Sequence, residues 1–259
     1  MLSSNVRTSV ALVAMLAMSM ALRGSYIIGP TGPSPITPSL GIPKFIQGLS
    51  AATATTPASF SASFGALPAV GDIVVVFVLN NGDGSGNPIT AVVTDNQGSG
   101  NGNGYTRLQT NPNNGSVAYE QMWCAPVVVS SGTFTVTATW NVNTIPGLMI
   151  LEYSGTSCNM DRWNKATGGT SPYSCGSITT NNANDLVLSA IVAAQSTLTV
   201  TFTTPTGFTP RLSQTVALTG VVGAIADNIV SAVNTFTPTW GTGQNHSSTP
   251  CGLVALLSQ

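Results

Sequence analysis

The chain has 259 residues, 42% of them hydrophobic and only 6% charged, with a formal net charge of −1. So few cations leave no surface to neutralise phosphates, which excludes a nucleic-acid-binding protein, and the apolar content excludes a disordered chain. Solubility must come from neutral Thr, Ser, Asn and Gly, as suits an extracellular surface protein or a subunit buried in an assembly.

Arg7 precedes an apolar run over residues 10–22, and Ser19 and Ala21 place small residues at both cleavage-determining positions. The run is short for a bilayer, so residues 1–22 read as a signal peptide in preference to an uncleaved anchor, and no span is expected in the mature chain. Residues 23–43 form a linker in which Pro and Gly break any regular element. Within it, residues 25–28 (SYII) make a short apolar piece on a flexible tether. Such a piece can add as a strand to the open edge of a neighbouring copy. The alternative is a plain spacer.

Residues 44–259 read as a single β-sandwich domain. Residues 45–64 hold the first strand or two, with Phe60 and Phe64 inward. The near-continuous run at 71–79 (GDIVVVFVL) predicts a strand buried on both faces. In the loop that follows, Asn81, Asp83, Ser85 and Asn87 set oxygen-bearing side chains at alternate positions, the spacing of a calcium loop. With one carboxylate, and Val92 where an EF-hand needs glutamate, a bare Gly/Asn loop is the default. Strands are expected at 89–95, 105–108 and 117–129, with a Gly/Asn/Ser loop at 96–104. Over 133–140 the pattern alternates strictly: Phe134, Val136, Ala138 and Trp140 on one face, Thr133, Thr135, Thr137 and Thr139 on the other. A turn at 141–147 leads into the apolar run 148–151, and the two strands are expected to pair as the central antiparallel hairpin. A long excursion runs from 156 to 175. Further strands are predicted at 185–192, 197–203, 221–233, 236–240 and 251–257. About ten or more strands, no convincing helix and no repeat of fixed period predict an all-β, two-sheet antiparallel sandwich of jelly-roll type.

The run Val93-Thr94-Asp95-Asn96-Gln97-Gly98, followed after a Gly/Asn insert by Tyr105-Thr106, is similar to a V-x-D-N-x-G-N-x-Y-T motif. That motif recurs in secreted bacterial β-sandwich surface proteins of largely unassigned function. The run GDIVVVFV, a Trp-centred strand at 122–125 and Glu152-Tyr153-Ser154-Gly155 resemble the same family. The resemblance spans roughly residue 65 to the C-terminus. It implies an extracellular sandwich and gives no reaction; the insert at 99–103 departs from the pattern.

Four cysteines, an even number, fit an oxidising compartment. Cys158 and Cys175 bracket one loop and form the favoured local pair, which leaves Cys124 with Cys251, although the sequence permits three pairings. Hydrolytic chemistry finds little support. His246 is the lone histidine, with no G-x-S-x-G elbow to partner it. Glu120 and Glu152 are the two glutamates, and they could act as a retaining glycosidase pair only if they faced one groove about 5 Å apart. Trp163 and Tyr173 in the expected disulfide loop, with Tyr105 after the insert, are candidate platforms for sugar rings. The threonine rows suggest ice binding, against the ordinary outcome of β propensity. The reading is a non-enzymatic structural or adhesive surface protein, self-associating through its N-terminal segment or binding surface glycans. A carbohydrate-binding module is the alternative and a glycoside hydrolase a distant third. No cofactor is expected unless calcium.

Overall fold

The computed structural model describes residues 41–80, 91–98, 102–112, 118–195, 199–214, 220–243, 245–246 and 249–259. The signal-like segment, residues 25–28 and the calcium-type positions Asn81, Asp83, Ser85 and Asn87 lie outside them. The described residues form antiparallel sheets with no helix. The all-β sandwich expected from the sequence is what the chain forms, and it forms it twice.

The first half supplies β1 (Lys44–Ala52), β2 (Ser59–Ser63), β3 (Ile73–Asn80), β4 (Ala91–Asp95), β5 (Thr106–Pro112), β6 (Tyr119–Pro126), β7 (Thr135–Trp140) and β8 (Pro146–Ser154). A five-stranded sheet in the order β1-β8-β3-β6-β5 packs against a three-stranded sheet, β2-β7-β4. The second half supplies β9 (Thr156–Gly168), β10 (Tyr173–Ser174), β11 (Ile178–Thr179), β12 (Leu186–Gln195) and β13 (Phe202–Thr203). It continues with β14 (Thr209–Gln214), β15 (Gly220–Ile229), β16 (Thr235–Phe236), β17 (Thr239–Thr242) and β18 (Thr249–Ser258). Its five-stranded sheet, β9-β18-β12-β15-β14, repeats the order of the first sheet strand for strand, and β10-β17-β13 repeats β2-β7-β4. In each half the first strand pairs with the last and the second with the last but one, the nesting of a rolled-up hairpin. The innermost pairing departs from that scheme, because β4 pairs with β7 and β5 with β6.

Alternation of side chains explains how the two sandwiches stack. On β3, Val74, Val76 and Val78 face the first outer sheet, while Ile73, Val75, Phe77 and Leu79 face the other half of the molecule. There they meet Leu186, Leu188, Ala190 and Val192 of β12 together with Val254 and Leu256 of β18. The opposite face of β12 and β18 (Val187, Ile191, Leu253, Ala255) packs under the second outer sheet. The four layers therefore enclose three apolar cores, and a strand in either middle layer must be apolar on both faces. This placement corrects the expected central hairpin. β7 and β8 belong to different sheets. Val136 and Ala138 face Leu148 and Ile150 across the first core and share no ladder with them.

The duplication extends to local detail. Gly71 (φ 99°) and Asn184 (φ 65°) both take left-handed backbone just before β3 and β12. Their N–H groups donate to Val127 O at 2.9 Å and Val230 O at 2.6 Å, and those two residues donate back to Asp72 O and Asp185 O. The stretch Thr-Val-Thr-Ala-Thr-Trp at 135–140 has Thr-Phe-Thr-Pro-Thr-Trp at 235–240 as its counterpart. No fixed period was legible, because this similarity survives only in such fragments.

The edges of the two central sheets are treated alike. β1, β5, β9 and β14 each carry a register shift, whereas the interior ladders run without one. Lys44, Arg107, Arg162, Lys165 and Arg211, every lysine and arginine among the described residues, lie on those four edge strands. Bulges and basic side chains are devices that keep an edge from pairing with another chain. Some also clasp the seam between sandwiches. The Arg211 guanidinium stacks 4.5 Å over Phe45, and Lys165 Nζ donates to Thr110 O at 3.0 Å.

Candidate functional site

The motif that carries the family resemblance is a loop clamp. Asp95 ends β4 and its Oδ1 accepts the backbone N–H of Gln97 (2.9 Å) and of Asn103 (3.2 Å), while Oδ2 accepts Asn103 Nδ2 at 2.9 Å. Asn103 Oδ1 in turn accepts the N–H groups of Val128 and Val129, and Gln97 Oε1 that of Ser131. Asn96 bridges to β7 by donating to Thr133 O and accepting from Thr135 N–H. Gly102 (φ +71°) must lack a side chain, because a Cβ there would collide with the Asp95 carboxylate. Tyr105 packs its ring on the first core, and burial, followed by the charge of Asp95, pushes its phenol well above the usual value. The motif holds two loops together and presents no reactive group.

The aromatic platform expected for sugars is not assembled. Tyr173 is 1% exposed, in the core of the second sandwich, where its hydroxyl accepts the His246 backbone N–H at 2.7 Å. Tyr105 is engaged as described. Trp163 alone is open, 49% exposed on β9. The expectation for that region was a disulfide-closed loop. Residues 156–168 instead form the longest strand among the described residues, paired along β18.

The two glutamates are also separated. Glu120 stands opposite Leu79 and Glu152 opposite Val74 on β3, one toward the central core and the other toward the first outer sheet. Five residues along β3 and two inter-strand spacings across it place them roughly 19 Å apart, far beyond the carboxyl spacing of a retaining pair. Glu120 Oε1 accepts Gln109 Nε2 at 3.2 Å, in a space that exists because Gly252 has no Cβ. His246 is buried, and burial lowers its pKa, favouring the neutral ring.

All four cysteines are paired, with partners other than those expected: Cys124–Cys158 and Cys175–Cys251. The cores explain why. Cys124 and Cys158 both meet the central core, whereas Cys175 and Cys251 both face the outer core of the second sandwich. Cys158 and Cys175, close in sequence, are drawn to opposite sides of one sheet. The first bridge ties β6 of one sandwich to β9 of the other.

Two carboxyl pairs lie one at each copy of the turn before the central strand. Asp72 lies against Glu152, whose Oε1 accepts the Ala69 N–H at 2.8 Å and Oε2 the Gln47 amide at 2.7 Å. Burial, then the hydrogen bond and charge of Glu152, raise Asp72 to about 6. Asp185, at the matching position, lies against Asp161 on the bulge of β9, and burial followed by Asp161 raises it to about 7. The signal was present as an aspartate directly before each apolar run, Asp72-Ile73-Val74 and Asp185-Leu186-Val187.

A groove of about 280 Å³ opens between β13 and β14, lined by Phe202, Leu212, Trp240 and the hydroxyls of Thr199, Thr201 and Ser213. Its charged wall residue, Arg211, is neutralised: Nε donates to Asp227 Oδ2 at 2.7 Å, and the Tyr153 hydroxyl donates to the same oxygen at 2.8 Å. Among the described residues no three His, Cys, Asp or Glu side chains gather in a metal-binding group, and no helix is long and apolar enough to cross a membrane. Comparison of the chain with protein-family models, with curated proteins and with solved structures finds no match.

Proposed function

We propose that the chain is an exported, non-enzymatic structural or adhesive module of a cell surface. The observation that carries this reading is the destination of its polar side chains. Asp95, Asn103, Glu120, Glu152, Tyr173 and Asp227 are bonded into the scaffold. The outward face of the first outer sheet is left with hydroxyl rows, in which Ser61 bonds Thr137 and Ser63 bonds Thr135, each at 2.8 Å. Neutral hydroxyl faces on a stack stapled by two disulfides suit a durable spacer in an oxidising environment. Surface biotinylation of intact producing cells, with thiol titration of the recovered protein, tests it. Labelled protein without free thiols supports the proposal; unlabelled protein with four free thiols ends it.

A second reading, glycan binding, rests on Trp163, an exposed indole next to half-exposed Met160 on β9. Glycan-array signal lost in Trp163→Ala would favour it. Assembly through residues 25–28 would need an edge to receive that strand, and the bulged, basic edges of the central sheets argue against their serving.

A further inference from the structure

The two carboxyl pairs occupy equivalent places, yet one is closed and the other is not. In the first pair Asp72 is only half-buried, and each oxygen of Glu152 accepts a donor. Asp185 is 0% exposed, and neither of its oxygens has a partner in hydrogen-bonding geometry. The backbone N–H groups of Asn182 and Ser258 face it closely enough to favour its charged form. It forms part of the wall of a cleft of about 180 Å³ with Asn182, Ala183, Leu257 and Ser258. Across from it, Asp161 is held in a fixed pose by Asn181, whose backbone N–H and Nδ2 donate to its two oxygens at 2.7 Å each. Neither aspartate takes part in an ion pair among the described residues. The one ion pair among the described residues is Arg211–Asp227, and Arg162 donates to Asn181 Oδ1.

We propose that Asp161 and Asp185, where the β9 bulge meets the turn before β12, form a binding site for one hard divalent cation of the calcium type. A buried carboxylate whose oxygens lack hydrogen-bonding partners, as at Asp185, costs free energy that a cation held between it and Asp161 recovers. Calcium accepts a mixed set of carboxylate, carbonyl and water oxygens with irregular geometry, so two carboxylates beside the loop 181–183 and Ser258 suffice as an anchor. Magnesium, which demands an octahedral shell and dehydrates reluctantly, fits such a set less well. The first sandwich serves as the internal control, since its Asp72 is only half-buried and the Asp72–Glu152 pair leaves no buried oxygen without a partner.

The test is thermal unfolding of the full chain at pH 7.5 after EDTA treatment, with calcium chloride or magnesium chloride added, alongside calorimetric titration with calcium. Saturating calcium is expected to raise Tm by on the order of 5 °C in the wild type and in Asp72→Asn. Asp161→Asn, a half-exposed strand position that should still fold, is expected to lose both the shift and the calorimetric signal; Asp185→Asn should match it if it folds. A calcium shift that persists in Asp161→Asn would place the ion elsewhere and overturn the proposal. No calcium response in the wild type, with Tm rising only on acidification, would mean that the pair holds a proton and would overturn it equally.

Discussion

The two sandwiches share a plan and differ in finish, and the differences follow local chemistry. In the first, β2 and β7 run unbroken, with Ala138 supplying its N–H in mid-ladder. In the second, Pro238 stands at the equivalent place and has no N–H to give, so the strand splits into β16 and β17. Its partner splits into β10 and β11 around Cys175 and Gly176, where the disulfide to β18 adds a covalent tie. The first sandwich secures its β4–β5 connection with the Asp95 clamp, whereas the second joins β13 to β14 by a short turn through Pro205 and Gly207, with Phe208 N–H bonded to Pro205 O. Nested pairing and two-sided apolar strands are thus enough to set the topology. Loops, caps and cross-links can then diverge without changing it.

The largest expected effect comes from the tryptophans that end the matched stretches. Trp240 is 1% exposed and its Nε1–H donates to Ser189 Oγ at 2.9 Å, while Trp140 lies in the first core with its Nε1–H unpaired. Trp240→Ala should cost about 3–5 kcal/mol in denaturant melts, as for other buried aromatic truncations. Replacement by Phe separates the two: Trp240→Phe leaves Ser189 without its donor and should cost roughly 1 kcal/mol more than Trp140→Phe. Equal costs would mean that the Ser189 bond adds nothing.

Next come the disulfides. Cys124–Cys158 closes a separation of 34 residues and Cys175–Cys251 one of 76. On chain entropy, replacing either pair by serines should cost about 4 kcal/mol, the longer loop somewhat more. The shorter bridge alone joins the two sandwiches. Its loss should therefore make hydrogen exchange at the central interface faster while sparing the outer core of the second sandwich, and loss of the longer bridge should do the reverse.

A smaller effect is the pH dependence from Asp72. Its folded pKa, about 6, stands above the ordinary value of 3.8 because of burial and then Glu152. A raised acid binds its proton more tightly when folded, so its stabilising contribution is complete below pH 3.8 and is lost as pH rises through about 6. Over pH 5 to 8, Asp72→Asn should show a flatter stability profile than the wild type. A parallel profile would mean that Asp72 and Glu152 do not share a proton in solution.

How much of this was legible can be argued from particular strands. β3, β8, β12 and β18 are the readable ones, because both their faces are apolar and no bulge interrupts their alternation. β9 was hidden. It is an edge strand with much of each face wet, and the bulge at Asp161 switches the face on which later side chains fall. Residues 197–203 misled in the opposite direction. Their alternation is clean, yet only Phe202 and Thr203 are in a strand among the described ones, with Val200 packed as a plug beside Ala193 and Val222. The cysteine pairing failed for a related reason: closeness in sequence says nothing about which face of a sheet a sulfur occupies. Of the site, the Asp95 motif was visible but its role was not, since a clamp and a ligand loop draw on the same Asp, Asn and Gly residues.

The smallest effect tests the equivalence of the halves most directly, at the left-handed residues before the central strands. Gly71 has open space around its would-be Cβ, so Gly71→Ala creates no clash and isolates the backbone cost of φ near +99°. That cost should be about 1 kcal/mol, and Gly71→Asn should cost less, because asparagine tolerates this region. Asn184, already asparagine at φ 65°, should gain a few tenths of a kcal/mol at most on replacement by glycine, with roughly 1 kcal/mol lost in Asn184→Ala. Both turns hold their strand through the same reciprocal pair of backbone bonds, to Val127 in one half and to Val230 in the other. The alanine variants should therefore be destabilised alike and, sharing no hydrogen-bond partner, additively. If Gly71→Ala proved neutral while Asn184→Ala did not, the first turn would have an alternative conformation, and the two halves would be equivalent in topology alone.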